Sequence, residues 1–476
     1  MWKLIGVAGS FLIAALLAKE AAPAASHPAV RIVPTEDIDA LFQQLDGDER
    51  PGCALSVLHE GKVVYSRGYG IANLGHGIPN SPDSLLRIGS TSKQSTAACV
   101  LLAKEEGLLS RDDLVTKWFP KLGDVYGAVT LPHLIHHPSG IRDYLSLLYL
   151  SGSDIDAERP LSEVLALLGR QQSLDFVPGE RMSYSNSGYL PLGEAVALAS
   201  GQSLADFAAK RIFEPLGMAS TFYCDDTTRL VPRCSEGYSL RPDGRHVGRT
   251  SLSLVGDGGV FSSVVDLAMW DAHFYARAIG GPGFLESPHQ VGTLNDGTAL
   301  DYAAGPGIEE WRGLRVVAHA GAFTGYTAEM MRFPDAKLTV ICLANREDFD
   351  PTRACFRVAA LYLADLLAEP APRAPREPRA AEPNADESGV PPLPSNLEGT
   401  YSSAELQVDV RLELRDDQVW YVSGASDLGP FVLTATGTLA GPGTELHLQL
   451  DEAGAATGFS LSLDRATGLL FARSDG

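Results

Sequence analysis

What this sequence lacks excludes several kinds of partner and site. Its 38 basic residues are outnumbered by 59 acidic ones, and the formal charge of -21 repels polyanions, so nucleic acid and anionic membrane surfaces are not expected partners. No G-x-S-x-G stretch occurs, which argues against the nucleophile elbow of an α/β-hydrolase. His133, His136 and His137 crowd together, but no Glu or Cys at ligand spacing accompanies them, so no metal site is expected.

The N-terminus and the cysteines suggest an exported protein. Lys3 precedes the apolar run 4–18 and small residues follow it, which is typical of a secretory signal peptide over residues 1–25. The run is short for a membrane-spanning helix, so we expect a secreted or periplasmic protein with no integral membrane segment once the signal is removed. Of the six cysteines, Cys224 and Cys234 lie in a polar, proline-containing loop, and they are the pair expected to form a disulfide.

One S-x-x-K stretch, formed by Ser90 and Lys93, occurs in the chain. Apolar residues at helical intervals from Gln94 to Leu109, with Gly107 near the end, predict a helix that begins near Ser90. Residues three apart share a helix face, and a buried neutral amine is one way to make a hydroxyl nucleophilic. The alternative is that Ser90 merely caps the helix and that Lys93 is a solvated charge.

Tyr184-Ser185-Asn186 is the one Y-x-N stretch, and it follows the S-x-x-K stretch along the chain. In this order the two stretches resemble motifs of penicillin-binding proteins and serine β-lactamases. With tyrosine at its start, the second motif resembles that of class C β-lactamases, D-alanyl-D-alanine carboxypeptidases, D-aminopeptidases and related esterases. Further resemblances at 134–144, 258–267 and 332–340 extend the likeness over residues 35–368.

His319-Ala320-Gly321 resembles the third motif of this superfamily, which is K-T-G in class A enzymes. Three other short stretches fit the same pattern: His59-Glu60-Gly61, Lys121-Leu122-Gly123 and His246-Val247-Gly248. Of these four stretches, the one at His319 is assigned to the third motif because it follows an apolar run and precedes two predicted antiparallel strands. The family carries its third motif on such an inner strand, lining the site.

The resemblance implies a serine hydrolase that needs no metal or cofactor and acts through a Ser90 acyl-enzyme. Its substrates would be esters, D-amino amides, peptides or peptidoglycan-derived compounds. The implied site comprises catalytic side chains, substrate-orienting residues and an oxyanion hole: Ser90, Lys93 and Tyr184; Asn186, His319 and Gly321; and the backbone N–H groups of Ser90 and Ala322.

Two alternatives remain open at this stage. One is a D-alanyl-D-alanine carboxypeptidase or β-lactamase, and the other is a penicilloyl-binding sensor or envelope scaffold with little turnover. Histidine near neutral pH is mostly uncharged, whereas the lysine usual at position 319 would bind a substrate carboxylate. Substrates without a terminal carboxylate are therefore expected to be hydrolysed faster than penicillins and D-Ala-D-Ala peptides, unless another cation such as Arg142 or Arg312 reaches the pocket.

The order of predicted elements indicates an α+β fold of the β-lactamase/transpeptidase-like kind, in which helices flank a mixed antiparallel sheet beside a helical subdomain. A hairpin is predicted from segments 54–58 and 63–67, joined at Glu60-Gly61. Strands are predicted over 314–345. The serine hydrolase domain is expected to cover residues 30–368.

The composition changes after the predicted hydrolase domain. Residues 369–395 are rich in Pro, Ala, Arg and Glu and predict a semi-rigid linker. Three later segments alternate apolar and polar residues with period two: 408–414, 446–450 and 459–463. They predict a small antiparallel β domain over 396–476, similar to the lipocalin-like appendages of some relatives. Because every motif precedes the linker, the part ending near Glu369 is expected to fold alone and keep most activity.

Overall fold

The computed structural model describes residues 30–369 and 392–474, apart from positions 48, 282, 283, 285, 286, 417, 425, 435, 436 and 442. The expected signal peptide, 1–25, and nearly all of the expected linker, 369–395, lie outside the described residues. Within the described ranges, none of the helices combines the length and the apolar character needed to cross a membrane.

The α-helices lie mainly between the first strands and the last ones. They are α1 (Thr35–Phe42), α2 (Lys93–Glu105), α3 (Val115–Trp118), α4 (Leu131–His136), α5 (Tyr144–Leu150), α6 (Leu161–Gly169), α7 (Asn186–Ser200), α8 (Leu204–Ala208), α9 (Glu214–Leu216), α10 (Val264–Ala276) and α11 (Pro351–Tyr362). A 3₁₀ turn over Gly89–Ser92 leads directly into α2.

The strands fall into an early group, a late group and a C-terminal group. Those before the linker are β1 (Cys53–His59), β2 (Lys62–Tyr69), β3 (Ile71–Asn73), β4 (Ile78–Pro79), β5 (Leu86–Arg87), β6 (Phe222–Tyr223), β7 (Tyr238–Arg241), β8 (Gly244–Val247), β9 (Val260–Ser262), β10 (Gly307–Trp311), β11 (Leu314–Phe323), β12 (Tyr326–Phe333) and β13 (Leu338–Ala344). Those after it are β14 (Gly399–Ser403), β15 (Val408–Arg415), β16 (Gln418–Ser423), β17 (Ser426–Leu433), β18 (Thr438–Gly441), β19 (Thr444–Leu450), β20 (Ala456–Leu463) and β21 (Ala466–Arg473).

The main sheet has the strand order β10-β11-β12-β13-β1-β2, and each neighbouring pair is antiparallel. The predicted hairpin of β1 and β2 and the predicted late strands are confirmed. Helix α10 packs against β1 and β13 on one face, whereas α11 packs against β12 and β13 with α1 beside it. The α+β fold predicted from the element order is therefore confirmed.

The interior strand β1 contributes to two cores. Cys53, Leu55 and Val57 belong to the core shared with α1 and α11, while Ala54 and Leu58 belong to the core shared with α10 and the helical region. This division follows from the period of two in a strand, whose successive side chains point to opposite faces. The apolar sequence of β1 is thus required by burial on both of its faces.

The C-terminal strands β14–β21 close into an antiparallel barrel of eight strands. Along β15, Val410 and Leu412 are buried whereas Asp409 and Arg411 are exposed, as the alternation in the sequence predicts. The small antiparallel β domain predicted for the C-terminal region is confirmed as a barrel.

The barrel packs directly on the helical region through buried polar contacts. Arg142 Nη1 donates to Glu405 Oε1 at 2.7 Å, and both side chains are at most 4% exposed. Tyr421 of the barrel donates its hydroxyl to the Leu150 carbonyl at 2.6 Å. The expectation that the part ending near Glu369 keeps most activity stays a prediction. Truncation there would remove Glu405 and expose the Arg142 guanidinium to water.

The disulfide expected between Cys224 and Cys234 is not formed, since both thiols are free. Each Sγ instead contacts a backbone carbonyl, that of Asp226 at 3.4 Å and that of Ser235 at 3.3 Å. Both cysteines pack in a small apolar cluster that also contains Phe261. Local composition indicated a bridge, but apolar packing accounts for these two positions.

We expect Glu405→Gln to lower the free energy of unfolding by about 2 kcal/mol, the usual scale of a buried hydrogen bond to a charged group. Denaturant unfolding of the full chain would measure the change. Asp427→Asn is the matched control, because the Asp427 carboxylate pairs with Arg415 at a half-exposed position of the same barrel and should change stability by less than about 0.5 kcal/mol. Equal losses for both variants would contradict a special role for the interface.

Candidate active site

The candidate nucleophile, Ser90, lies on a tight turn over Gly89–Ser92, the nucleophile turn, which touches the main sheet. Ser90 belongs to the 3₁₀ turn ahead of α2, whereas the sequence predicts it on the first turn of the helix itself. Gly89 has φ +51°, and a Cβ atom there would lie 2.6 Å from the backbone nitrogen and oxygen of Ala322 on β11. Glycine at position 89 thus permits both the left-handed backbone and the close approach of the turn to the strand.

Lys93 is fully buried, with 0% of the residue exposed. Its ammonium donates to Ser90 Oγ at 3.2 Å, to Asn186 Oδ1 at 2.8 Å and to the backbone carbonyl of Asp257 at 2.6 Å. These three acceptors use the three donors of an ammonium group, and no carboxylate of a described residue forms an ion pair with it. The alternative that Lys93 is a solvated charge is therefore excluded.

Asn186 is oriented by a buried carboxylate. Its backbone N–H and its Nδ2 both donate to Asp143 Oδ2, at 2.7 and 2.9 Å, so its Oδ1 is turned towards Lys93. The other oxygen of Asp143 accepts from the N–H groups of Leu145 and Ser146 and caps α5. One carboxylate thus fixes both the start of a helix and the amide that faces the lysine.

Tyr184 stands beside this lysine with an unsatisfied hydroxyl. Lys93 Nζ is 4.9 Å from the centre of the Tyr184 ring, and the hydroxyl is buried without a hydrogen-bond partner among the described residues. The ring of His137 packs against it at 4.5 Å between centroids. A buried hydroxyl without a partner is costly in a folded protein, so its retention next to a serine and a lysine is expected of a reacting group.

The third motif lines the turn from the other side. A Cβ atom at Gly321 would lie 1.9 Å from the Ile88 carbonyl oxygen, so only glycine allows β11 to approach the nucleophile turn so closely. Thr91 Oγ1 donates to the His319 carbonyl at 3.0 Å and ties the two segments together. Strand β11 therefore brings Ala322 to the turn that carries Ser90.

The His319 side chain is neutral and has both ring nitrogens engaged. Nδ1 contacts the Ala320 carbonyl, which can only accept, so Nδ1 carries the proton and Nε2 accepts from the Tyr302 hydroxyl at 2.9 Å. Burial, together with the charge of Lys93, lowers the pKa of His319 to about 3. The ring thus offers a substrate carboxylate neither a cation nor a free N–H donor.

The histidines 133, 136 and 137 have separate structural contacts. His133 Nδ1 accepts from the Thr130 N–H in a capping box, His136 Nδ1 contacts the Tyr302 carbonyl, and His137 Nδ1 accepts from the Ser185 N–H. Among the residues that the structure describes, no group of three or more His, Cys, Asp or Glu side chains is arranged to hold a metal ion.

Three contributors to the site were missed by sequence reasoning. Asp143 lies in the segment that carries part of the family resemblance, so its position there was an available signal. Asp257 acts through its backbone carbonyl, which no side-chain pattern reveals. Tyr302 comes from a loop without a motif. Of the cations considered above, Arg142 is held in the barrel interface and Arg312 donates to the Ala368 carbonyl, so neither serves the site.

Comparison of the sequence with known proteins gives a consistent set of relatives. The family described as Beta-lactamase matches residues 38–364. Penicillin-binding protein 4* of Bacillus subtilis is 30% identical over 330 residues, which make up 65% of this chain and 72% of that protein. A D-aminopeptidase of Brucella anthropi is 30% identical over 299 residues, or 62% of this chain, and the match spans only 56% of that enzyme.

Solved structures resemble the fold over much of its length. The octameric penicillin-binding protein homologue from Pyrococcus abyssi has a TM-score of 0.62 at 24% identity and covers 92% of this chain and 100% of its own. The D-amino acid amidase from Ochrobactrum anthropi SV3, complexed with L-phenylalanine amide, has a TM-score of 0.57 at 21% identity and covers 69% of this chain and 98% of its own. At these identities the likeness concerns the fold alone.

We expect Asp143→Asn to reduce kcat/KM by about 10- to 100-fold, because an amide would turn an NH₂ group towards buried N–H donors and disturb Asn186. Steady-state kinetics and thermal unfolding would be measured together. Asp350→Asn is the matched control: Asp350 caps α11 through the Arg353 N–H, far along the chain from these residues, and the variant should keep its activity. Unchanged kinetics in Asp143→Asn would contradict the assigned orientation of Asn186.

Because the pKa of His319 is about 3, its charge should not change between about pH 5 and pH 9. The ratio of kcat/KM for a carboxylate substrate and its carboxamide should therefore contain no inflection from His319 in this range. His319→Lys would add a cation and should raise that ratio by about 10- to 150-fold. An inflection near pH 6.5 that disappears in His319→Gln would contradict a neutral His319.

Proposed function

Because the chain belongs to the Beta-lactamase family, we propose that it is a serine hydrolase in which Ser90 forms a covalent acyl-enzyme. The substrates we propose are esters, D-amino amides and peptides. The observation that carries this proposal is the full burial of Lys93 next to Ser90 Oγ.

Burial of the Lys93 ammonium costs stability, and a role in a reaction would explain why the residue is retained. Lysine is rarely fully buried without a carboxylate partner, since desolvation of an ammonium costs several kcal/mol. Here the compensation comes from a hydroxyl, an amide oxygen and a backbone carbonyl. These three acceptors carry no formal charge, and the buried Asp257 carboxylate accepts from the Tyr144 hydroxyl at 3.1 Å. This is the setting in which a lysine assists proton transfer from a serine.

The proposed reaction begins with attack of Ser90 Oγ on the substrate carbonyl carbon. The serine proton passes to the pair formed by Lys93 and Tyr184 in the state in which one of the two groups, the lysine amine or the tyrosine oxygen, has already lost a proton, and the same pair returns a proton to the leaving nitrogen or oxygen as its bond to the carbonyl breaks. Water then attacks the acyl-enzyme, gives its proton to this pair, and releases the acid while Ser90 recovers its proton. Asn186 holds Lys93 in place and contacts the substrate amide.

The oxyanion of the tetrahedral intermediate would be bound by backbone N–H groups. Those of Ser90 and Ala322 belong to the turn and the strand that meet at Gly89. Their proximity supports this assignment, because two donors fixed by the backbone stabilise developing charge without reorganisation.

The substrate class is supported by the relatives. A D-aminopeptidase at 30% identity supports amides of D-amino acids among the proposed substrates. We also propose that the chain is exported, on the strength of the predicted signal peptide at residues 1–25.

A fluorophosphonate probe should label Ser90, and mass spectrometry of the modified peptide would identify the site. Ser90→Ala should abolish labelling, and Lys93→Ala and Tyr184→Phe should each slow acylation by about 100-fold, the usual scale for loss of a positioned proton-transfer group. Ser95→Ala is the control, since Ser95 is a buried serine on α2 outside the proposed machinery.

Labelling at a serine other than Ser90 would disprove the proposed nucleophile. Turnover provides the second criterion. A panel of esters, D-amino amides, D-Ala-D-Ala peptides and cephalosporins should include a substrate that yields many equivalents of product per chain. A single equivalent followed by a stable Ser90 adduct would instead identify a penicilloyl-binding sensor.

A further inference from the structure

The C-terminal barrel places one of its turns next to the proposed serine site. Asp464 and Arg465 form the turn between β20 and β21, and the Arg465 carbonyl accepts from the Asp143 N–H at 2.8 Å. A second contact follows at the start of β21, where the Thr467 N–H and Oγ1 donate to Asp175 Oδ1 at 2.9 and 2.8 Å. The backbone of the turn is thus held in place by the helical region.

The guanidinium of Arg465 projects beside the catalytic side chains. Its central carbon is 5.7 Å from the centre of the Tyr184 ring, and its Nη1 is 3.7 Å from Asp143 Oδ2. The side chain is 32% exposed. The Arg465 cation therefore lies between solvent and the tyrosine that stands over Lys93.

This guanidinium forms two long ion pairs, and no side-chain hydrogen bond of it is found among the described residues. Its contacts with Asp143 at 3.7 Å and with Asp464 at 3.6 Å exceed hydrogen-bond distance, and it donates no side-chain hydrogen bond to a described residue. Asp143 Oδ2 already accepts twice from Asn186, which leaves it little capacity for Arg465. A guanidinium with five N–H donors is therefore available to an incoming anion.

The other cations near the site are already engaged. The three donors of Lys93 go to Ser90, Asn186 and the Asp257 carbonyl. Arg142, next to Asp143 in the chain, is surrounded by partners within the barrel interface: Glu405, Asp175, Gln171 and Ser173. Both nitrogens of the His319 ring have partners as well. Arg465 thus supplies a positive charge that the third motif does not.

We propose that Arg465 is a substrate-binding residue of the serine site and that it selects acyl substrates bearing a carboxylate on the Tyr184 side of the scissile bond. This inference rests on the proposed function. A guanidinium binds a carboxylate through two parallel N–H donors, which fixes orientation as well as charge. Short peptides with a free carboxylate near the cleaved bond have the required chemistry. The preference for carboxylate-free substrates expected from His319 alone is thereby reversed.

The test uses the full chain and a matched pair of compounds, N-acetyl-D-alanyl-D-alanine and its C-terminal carboxamide. Arg465→Ala should lower kcat/KM for the carboxylate by about 10- to 100-fold, mainly through KM, and change that for the carboxamide by less than about threefold. Arg465→Lys should recover part of the loss. Arg411→Ala removes an exposed arginine of the same barrel and should change neither value.

A second measurement does not depend on turnover. The two compounds compete with a fluorophosphonate for Ser90, and the carboxylate should protect at about tenfold lower concentration in the unaltered chain but not in Arg465→Ala. Equal losses for both compounds would show that Arg465 only supports Asp143. No change for either compound would show that Arg465 does not contact the substrate. If Ser90 is not labelled at all, the proposed function itself fails. Labelling without a carboxylate preference overturns the Arg465 proposal alone.

Discussion

A buried ammonium surrounded by neutral acceptors is the constraint on which the site depends. Lys93 is stable inside the protein because Ser90, Asn186 and the Asp257 carbonyl satisfy its three donors. These acceptors come from the nucleophile turn, the start of α7 and the segment before β9. Three separate parts of the chain must therefore meet correctly before the charge is compensated, so the polar site contributes to the specificity of the fold as well as to its chemistry.

The support for this lysine extends as far as the C-terminal barrel. Asn186 faces Lys93 because its backbone N–H and its Nδ2 both donate to Asp143, whose own backbone N–H donates to the Arg465 carbonyl. The barrel also covers Arg142, the neighbour of Asp143. Removing the barrel would therefore take away one end of the hydrogen-bonded chain that leads to Ser90.

Local patterns in the sequence predicted those features that depend on local spacing. The i, i+3 relation of Ser90 and Lys93 and the hairpin of β1 and β2 follow from periodicity over a few residues, and the structure contains both. The close approach of Gly89 to Ala322 was not predictable in this way, because it joins segments that are distant in the sequence. The free thiol of Cys224 and the position of Arg465 likewise depend on packing between distant segments, which composition does not encode.

The position of β1 in the sheet has a consequence for how the chain folds. Its partner β13 pairs Ala344 with Cys53, so these two neighbouring strands are separated in sequence by the whole helical region. Loop closure over such a distance must precede the contacts that reward it, and folding rates fall as contacts become less local. Until β13 pairs with β1, that edge of β1 has no neighbouring strand. We therefore expect assembly of the sheet to be a slow step of folding, during which apolar residues of β1 are exposed.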